Sequence, residues 1–380
     1  MPVQRPLFRE EHEIFRSTVR RFYEKEVVPY HEQWEDEGQV SRDLWRKAGD
    51  AGLLCMSVPE EYGGAAGDFL FSVVMMEEQA RAGTSGPGFG LHNDIVAPYI
   101  YKYGNEEQHR RWLPKMAKGE LIGAIAMTEP GTGSDLQAVR TTARREREHY
   151  VVSGQKTFIT NGYMSELVIV VCKTDPGAGA KGISLIVVEA GSEGFEKGRK
   201  LKKVGMKAQD TAELFFNDVR VPKENLLGQE GQGFAYLMNE LVQERLVIGI
   251  NSICAAERTL EKTIEYTKER RAFGQPIAKF QNTRFKLAEL KTNVTIGRIF
   301  IDHCIEQHLQ GKLDVTTAAM AKYWCSEMQW ALTDDCVQLH GGYGYMLEFP
   351  VAKAFVDGRV QRIYGGSNEI MKELISRAVI

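Results

Sequence analysis

Glu166–Glu189 reads ELVIVVCKTDPGAGAKGISLIVVE. Two short runs dominated by β-branched residues flank a segment broken by Asp175, Pro176 and several glycines, the pattern of two strands and the turn between them. On either side lie further runs of the same kind: LIGAIAM (Leu121–Met127), HYVVSG (His149–Gly154), KTFIT (Lys156–Thr160) and ELFFNDVRVP (Glu213–Pro222). No helical stretch separates them, so a doubly wound parallel sheet with its crossover helices is not expected. A small antiparallel β-barrel or sandwich fits the central part of the chain.

Outside this region the hydrophobic period is helical. Between about Glu10 and Gly119, Ile14, Val19, Phe22 and Val27–Val28 recur near helical spacing, Ser41 is placed to cap DLWRKAGDAGLL, and GGAAGD and GTSGPGFG cut the segment into separate helices. After Gly231–Gln232–Gly233 long helical patterns cover Phe234–Arg270, Thr283–Gln310 and Val315–Leu339, the last behind Asp314 as N-cap. Three or four such helices with short joints make an up-and-down bundle. The expectation is a mostly α protein with a central β domain: a helical N-terminal domain over 1–120, a small antiparallel β-barrel over 121–230 and a C-terminal four-helix bundle over 231–380.

Composition narrows the function classes. A chain of 380 residues, 43% hydrophobic and 26% charged, has the make-up of a water-soluble globular protein, and its net charge of −3 gives no case for nucleic acid. The longest apolar runs, such as Leu167–Cys172, are too short for a transmembrane segment. The opening MPVQRPLFREEHE has no apolar signal core, so a cytoplasmic location is expected, or the mitochondrial matrix for a processed eukaryotic chain. The six cysteines form no CxxC pair and read as buried free thiols; the eight histidines show no HExxH spacing, so no metal site is expected.

One acid stands out. In YLMNELVQERLVIG (Tyr236–Gly249), Leu237, Leu241 and Ile248 form an apolar stripe at i, i+4 and i+11, and Glu244 fills the i+7 place. Burial disfavours the charged form and can raise a Glu pKa by roughly 3–5 units at the extreme, turning the group into a proton acceptor. A slightly rotated helix would instead set Glu244 at the stripe's edge, paired with Arg245 or a neighbouring helix, and on this helix alone that reading is the favoured one, because acids bordering apolar stripes are common and catalytic ones are few.

Four further stretches add to it, three of them glycine-rich. TEPGTGSD (Thr128–Asp135) follows directly on LIGAIAM; its glycines free backbone N–H groups for close approach and Thr128 and Ser134 add hydroxyls, although its spacing matches neither a P-loop nor a dinucleotide fingerprint and a polar turn would look the same. In KERRAFGQPIAKFQ, Arg270 and Arg271 end a helix, where they favour its dipole and could equally clamp a diphosphate. QLHGGYGYM (Gln338–Met346) and RIYGGSNEIMKELI (Arg362–Ile375) each hold a Gly-Gly pair; the second leads into Ser367 or Asn368 as N-cap of a final helix whose free N–H groups suit an anionic or carbonyl oxygen.

Taken together, MTEPGTGSD, FITNG, RRAFGQPIAKFQ, QLHGGYGYM and IYGGSNEI resemble, in order and spacing, the signature stretches of the acyl-CoA dehydrogenase family, and the resemblance covers essentially the whole chain. That family's architecture of helical domain, β-barrel and four-helix domain agrees with the changes of period. In most of the family the catalytic Glu follows the tyrosine matching Tyr364, where this chain has Gly365. A minority branch, including long-chain and isovaleryl-CoA dehydrogenases, carries its base at the position of Glu244. ELVQERL, KLAELKT, MAKYW, CVQLHGGYGYM and YGGSNEIMKELI are most similar to the long-chain members; Val242, where those tend to have proline, and Ala235, where a substrate-facing tyrosine is expected, depart from them.

The resemblance implies FAD-dependent conversion of an acyl-CoA to its trans-2-enoyl-CoA, with Glu244 taking the α proton and hydride passing to the flavin. It implies FAD held by Met127, Thr128, Gly133, Ser134, Phe158, Ile159 and Thr160, with Ser367 and Glu369 completing the site. Arg270, Phe273, Gln281, Gln338, Gly341 and Gly342 would reach the cofactor of a neighbouring subunit in a dimer of dimers. Substrate would meet Ser134, Arg245, Tyr364, Gly365 and Gly366, the Gly365 N–H and a flavin ribityl hydroxyl stabilising the thioester oxygen. Electron transfer flavoprotein would be the acceptor. Alternatives are a short branched-chain or isovaleryl-type dehydrogenase, an acyl-CoA oxidase, and a non-catalytic acyl-CoA-binding protein.

Overall fold

The computed structural model describes residues 5–380, so the first four residues of the MPVQRPLFREEHE reading and of the 1–120 domain fall outside the description. The N-terminal part is helical: α1 (Glu10–Phe22), α2 (His31–Glu37), α3 (Arg42–Asp50), α4 (Phe69–Ala82), the single turn α5 (Phe89–Leu91), α6 (Ala97–Tyr103) and α7 (Glu106–Ala117). Ser41, Asp68 and Asn105 cap α3, α4 and α7 by accepting from Leu44, Leu70 and Gln108 N–H groups. The stripe expected on α1 is partly different. Val19, Phe22 and Val27 are buried, but Ile14 and Val28 face solvent. A π turn over Tyr23–Val27 resets the period before Val28. His12 takes an inner place, its Nδ1 accepting from Arg9 N and its Nε2 lying 3.1 Å from Asp68 Oδ1.

The central strands are β1 (Gly123–Ala126), β2 (Thr142–Glu146), β3 (His149–Thr160), β4 (Leu167–Lys173), β5 (Ile183–Glu189), β6 (Phe195–Lys200), β7 (Thr211–Pro222) and β8 (Leu226–Leu227). Their order is β6-β7-β3-β2-β4-β5-β8, with β1 also on β4. The central β domain stands where a small antiparallel barrel or sandwich was expected; among the described residues its strands form one mixed sheet that does not close. β6 and β8 end the ladder without pairing with each other, and β1 runs parallel to β4, as β2 does at one residue pair. The long connection through β2 and β3 lets β1 and β4 run the same way, which a short turn would forbid. Strand β4 is apolar and buried up to its last residue, Lys173, because both faces are covered. Leu167, Ile169 and Val171 pack with Tyr99, Trp112 and Leu237, while Val168, Val170 and Cys172 pack with Tyr150, Ile159 and Phe216 inside the sheet.

The C-terminal part contains α8 (Gly233–Glu269), the small hairpin β9 (Arg271–Ala272) and β10 (Gln275–Pro276), α9 (Gln281–Leu309), α10 (Val315–His340), α11 (Pro350–Gly358) and α12 (Asn368–Val379). Ile250, Ile253, Leu260, Val294, Ile301, Cys325 and Leu332 form its core, which also takes in Leu70, Val73 and Met76 of α4. Helix α8 is thus a spine. Its first turns contribute Leu237 to the core shared with the sheet, and its later turns belong to the helical core. Glu244 stands between the two. The six cysteines are buried and unpaired, and among the described residues no helix is long and apolar enough to cross a membrane.

Candidate active site

Glu244 is 6% exposed and lines a cavity of about 780 Å³ between the end of α4, the loop after β1, the end of β3, α8 and the Tyr364–Gly366 turn. Leu237, Leu241 and Ile248 are buried beside it, so the helix is not rotated away from the core. Burial pushes the Glu244 carboxyl up to about 7, reinforced by nearby Glu240 and opposed by a hydrogen bond from Tyr99 and by Arg245. The Tyr99 hydroxyl donates to Glu244 Oε1 at 3.1 Å. Glu240, one turn earlier, is held by Lys102 Nζ at 2.7 Å and Tyr103 OH at 2.8 Å. Arg245 is also buried at the cavity, its Nε lacks a hydrogen-bond partner, and burial lowers its pKa. A buried guanidinium with an unused donor is ready for an anionic or carbonyl oxygen.

The TEPGTGSD loop is anchored from below. Glu129 is buried and accepts from Arg140 N at 2.7 Å, Thr141 N at 2.9 Å and Lys156 Nζ at 2.9 Å, while Lys156 Nζ also donates to Met127 O. Burial opposes the Glu129 charge, but Lys156 and the backbone donors outweigh it and hold the carboxyl below its ordinary range. The same stretch is tied to β3 by Thr157 N donating to Thr128 O. At this point β3 is bulged between Lys156 and Ile159, and Phe158 takes a left-handed φ of 60°. A bulge re-aims one side chain. Phe158 is accordingly 66% exposed, against the cavity.

The third wall is the turn before α12. Gly365 has φ 62°, and a Cβ there would stand 2.2 Å from Ile248 Cδ1, one turn beyond Glu244. The backbone of the turn and the helix of the buried acid are therefore in direct apposition. Ser367 caps α12 through Ile370 N, and Asn368 is buried, taking Lys322 Nζ on its Oδ1 at 2.7 Å. Tyr364 OH donates to Gln361 Oε1 at 2.7 Å.

The cavity brings together Met127, Thr128, Gly133, Ser134, Phe158, Ile159, Thr160, Glu244, Arg245, Tyr364, Gly365 and Gly366. It does not include the others. Arg270, Gln338, Gly341 and Gly342 line a separate surface depression, Phe273 is 95% exposed, Gln281 opens α9 at the surface, and Ser367 and Glu369 start α12. Added Cβ atoms at Gly341 and Gly342 would meet nothing within 4 Å, in keeping with bare backbone facing outward. Gly344 differs: a Cβ would lie 2.4 Å from Val337 O, so the chain's own packing explains it.

A flavin fits the cavity's chemistry. It offers an exposed aromatic side chain at Phe158, hydroxyls at Thr128, Ser134 and Thr160, and open space where Gly133 would carry a Cβ. Sequence reading missed Tyr99, Glu129 and Lys156. Glu129 was visible as an acid inside the glycine loop, but its partner lies on a strand whose pattern hides a buried amine. Tyr99 lies 145 positions from Glu244, a separation no local pattern spans.

Three family models match in chain order: the acyl-CoA dehydrogenase N-terminal domain over residues 9–120, the middle domain over 124–219 and the C-terminal domain over 231–380. The mitochondrial long-chain specific acyl-CoA dehydrogenase of Rattus norvegicus is 56% identical over 378 residues, spanning 99% of this chain and 88% of that protein. The crystal structure of an acyl-CoA dehydrogenase from Geobacillus kaustophilus superposes with a TM-score of 0.97 at 52% identity, covering 99% of this chain and all of that one. An acyl-CoA dehydrogenase from Bacillus anthracis complexed with FAD superposes with a TM-score of 0.90 at 33% identity, covering 99% of this chain and 68% of that one. Likeness of this extent, in sequence and in three-dimensional structure, makes the chain a member of the acyl-CoA dehydrogenase family, a flavoprotein oxidoreductase with FAD as its cofactor.

Proposed function

We propose that the protein dehydrogenates long-chain acyl-CoA thioesters to trans-2-enoyl-CoA, with Glu244 as the base. The observation that carries this reading is a carboxyl buried in the cavity wall with a pKa near 7, where the family's other base position is Gly365. A base poised near the working pH is ionised often enough to accept a proton and basic enough to take one. Bound FAD supplies the acceptor for the β hydride. Glu244 accepts the α proton on a carboxylate oxygen as that C–H bond breaks. Negative charge then grows on the thioester oxygen, and the Gly365 N–H is the protein's donor to it; losing such a donor costs ~2.7–4 kcal/mol of transition-state stabilisation. The apolar cavity walls exclude water, which strengthens each of these interactions.

Met127, Thr128, Gly133, Ser134, Phe158, Ile159 and Thr160 would hold the flavin, with Ser367 and Glu369 at its edge. Arg245, Tyr364 and Gly366 would contact the substrate. Arg270, Phe273, Gln281, Gln338, Gly341 and Gly342 stand away from the cavity, which supports their serving a second copy's cofactor in a dimer of dimers. On this reading 1–120 and 231–380 enclose the substrate and 121–230 presents the flavin loop. Electron transfer flavoprotein is the proposed acceptor, and the proposed location is the cytoplasm, or the mitochondrial matrix in a eukaryotic cell. A base at position 244 also suits a short branched-chain substrate. Anaerobic bleaching of the yellow holoenzyme by acyl-CoAs of graded length decides between them: long chains should reduce the flavin fastest, and isovaleryl-CoA as the best substrate would replace this reading. Glu244→Gln should keep flavin but lose reduction by ~10²–10⁴-fold; bleaching at the parental rate would place the base elsewhere.

A further inference from the structure

Helix α6 meets the first turns of α8 through a ladder of hydroxyl–carboxylate contacts. Tyr103 donates to Glu240 and Tyr99 to Glu244, one turn apart on both helices and in reversed order. Tyr103 also stacks on Tyr236, ring centroids 4.0 Å apart and planes at 23°. The rungs fix the register of the two helices. Only one rung reaches the cavity acid.

Resting on Glu244 as the base, we infer that Tyr99 is a positioning residue for it: its hydroxyl occupies Oε1, leaves Oε2 to face the substrate, and favours the carboxylate over the protonated acid. Tyr99 is fully buried, so its hydroxyl has no water to turn to if this contact is lost. Among the described residues nothing else donates to Glu244, and Oε2 accepts no hydrogen bond. Two nearby acids, Glu240 and Asp94, are engaged elsewhere, while the Arg245 guanidinium keeps an unpaired Nε. On α8, Glu240 is taken up by Lys102 and Tyr103 of α6, and Arg245 follows Glu244 in sequence. From the turn before α6, Asp94 accepts from Ser72 Oγ at 2.6 Å and offers its backbone oxygen to Gln243. Burial and Glu240 favour the neutral Glu244, while Tyr99 and Arg245 favour the charged one. Burial also pushes the phenol's own pKa well up, so the proton in this contact stays on Tyr99. During turnover the substrate α C–H bond breaks, its proton goes to Oε2, and Tyr99 remains the donor to Oε1.

The test is the pH dependence of anaerobic flavin reduction at saturating substrate in holoenzyme variants. Tyr99→Phe keeps the ring and removes the donor. Its acid limb should move up by about one pH unit, lowering the rate about tenfold at pH 6 and leaving it within about twofold of the parent at pH 9. Tyr103→Phe disturbs the same helix contact without touching Glu244 and should shift the limb much less. Replacing Tyr99 by 3-fluorotyrosine, a stronger donor of nearly the same volume, should move the limb down, which serves if the phenylalanine variant loses flavin. An unshifted limb, a loss uniform across pH, or an equal shift in Tyr103→Phe overturns the inference while Glu244→Gln still marks the base. Reduction at the parental rate in Glu244→Gln overturns both.

Discussion

Glu129 and Glu244 are two buried acids at walls of one site with opposite electrostatics. Glu129 sits against a lysine and two backbone N–H groups, and its charge is held below the ordinary carboxyl range. Glu244 has one phenol donor and a like-charged neighbour, and burial carries it up to about 7. The difference lies in the partners, not in depth: both are at most 6% exposed. A fully paired carboxylate is fixed in its charge state and serves as an anchor, whereas a poorly paired one can change state and serve in chemistry.

The largest expected effect on stability breaks the anchor. Lys156→Met leaves the Glu129 charge buried without its counter-ion, and removing one partner of such a pair costs ~3–5 kcal/mol. Chemical denaturation should show that loss together with reduced flavin content, because Lys156 also holds Met127 O. Adding Glu129→Gln should recover part of it. A single variant as stable as the parent would remove the distinction between the two acids.

Glu244→Gln should act in the other direction and depend on pH. A folded-state pKa raised from the ordinary 4.5 to about 7 means that the acid's favourable contribution is complete below the unfolded pKa and is lost as pH rises through the folded one. Above pH 8 the charged, buried Glu244 therefore weakens the fold by about 3 kcal/mol, following 1.36 kcal/mol per pKa unit. Glutamine should restore most of this at pH 9 and none at pH 4, read from denaturation midpoints of the flavin-free protein. For Glu129 the sign reverses: its contribution is present above the unfolded pKa and lost as pH falls through the folded one.

These contrasts also show what was legible in the chain. The stripe of Leu237, Leu241, Glu244 and Ile248 is a property of one helix, so spacing could raise an inward acid but could not choose it over an edge-on one; the structure shows Glu244 buried. The strands of β4 and β5 announced themselves because apolar residues cover both faces. Pairing partners were not legible: the parallel β1–β4 ladder and the open ends at β6 and β8 depend on the path of the connections, not on strand composition. The partner that separates Glu129 from Glu244 was hidden for a similar reason. Lys156 and Tyr99 are ordinary strand and helix residues until the fold places an acid beside each.

Gly365→Ala probes the meeting of the two base positions at moderate cost. The left-handed backbone and the approach of Ile248 Cδ1 both resist a side chain, and overpacking of this kind costs ~1–3 kcal/mol. Ile248→Val removes the Cδ1 atom and should restore part of the loss in the double variant. Gly365→Glu, which carries an acid to the place used by most of the family, should crowd the carbonyl site instead of adding a second base. Full activity in that variant would separate Gly365 from the pocket of Glu244.

The smallest effect on the fold is expected at Phe158, and its smallness is informative. A large apolar side chain at 66% exposure contributes little packing, and its left-handed backbone is sustained by the bulge whatever the side chain. Phe158→Ala should therefore change the stability of the flavin-free protein by less than ~0.5 kcal/mol, as surface substitutions do. The holoenzyme should respond differently, since a ring held against a binding cavity makes its contacts with the ligand and not with the core. Flavin retention on dilution should fall in Phe158→Ala while the flavin-free melting curve stays unchanged. If both fall together, Phe158 belongs with Glu129 among the residues that build the wall; if only retention falls, it belongs with Glu244 among those that face what the wall encloses.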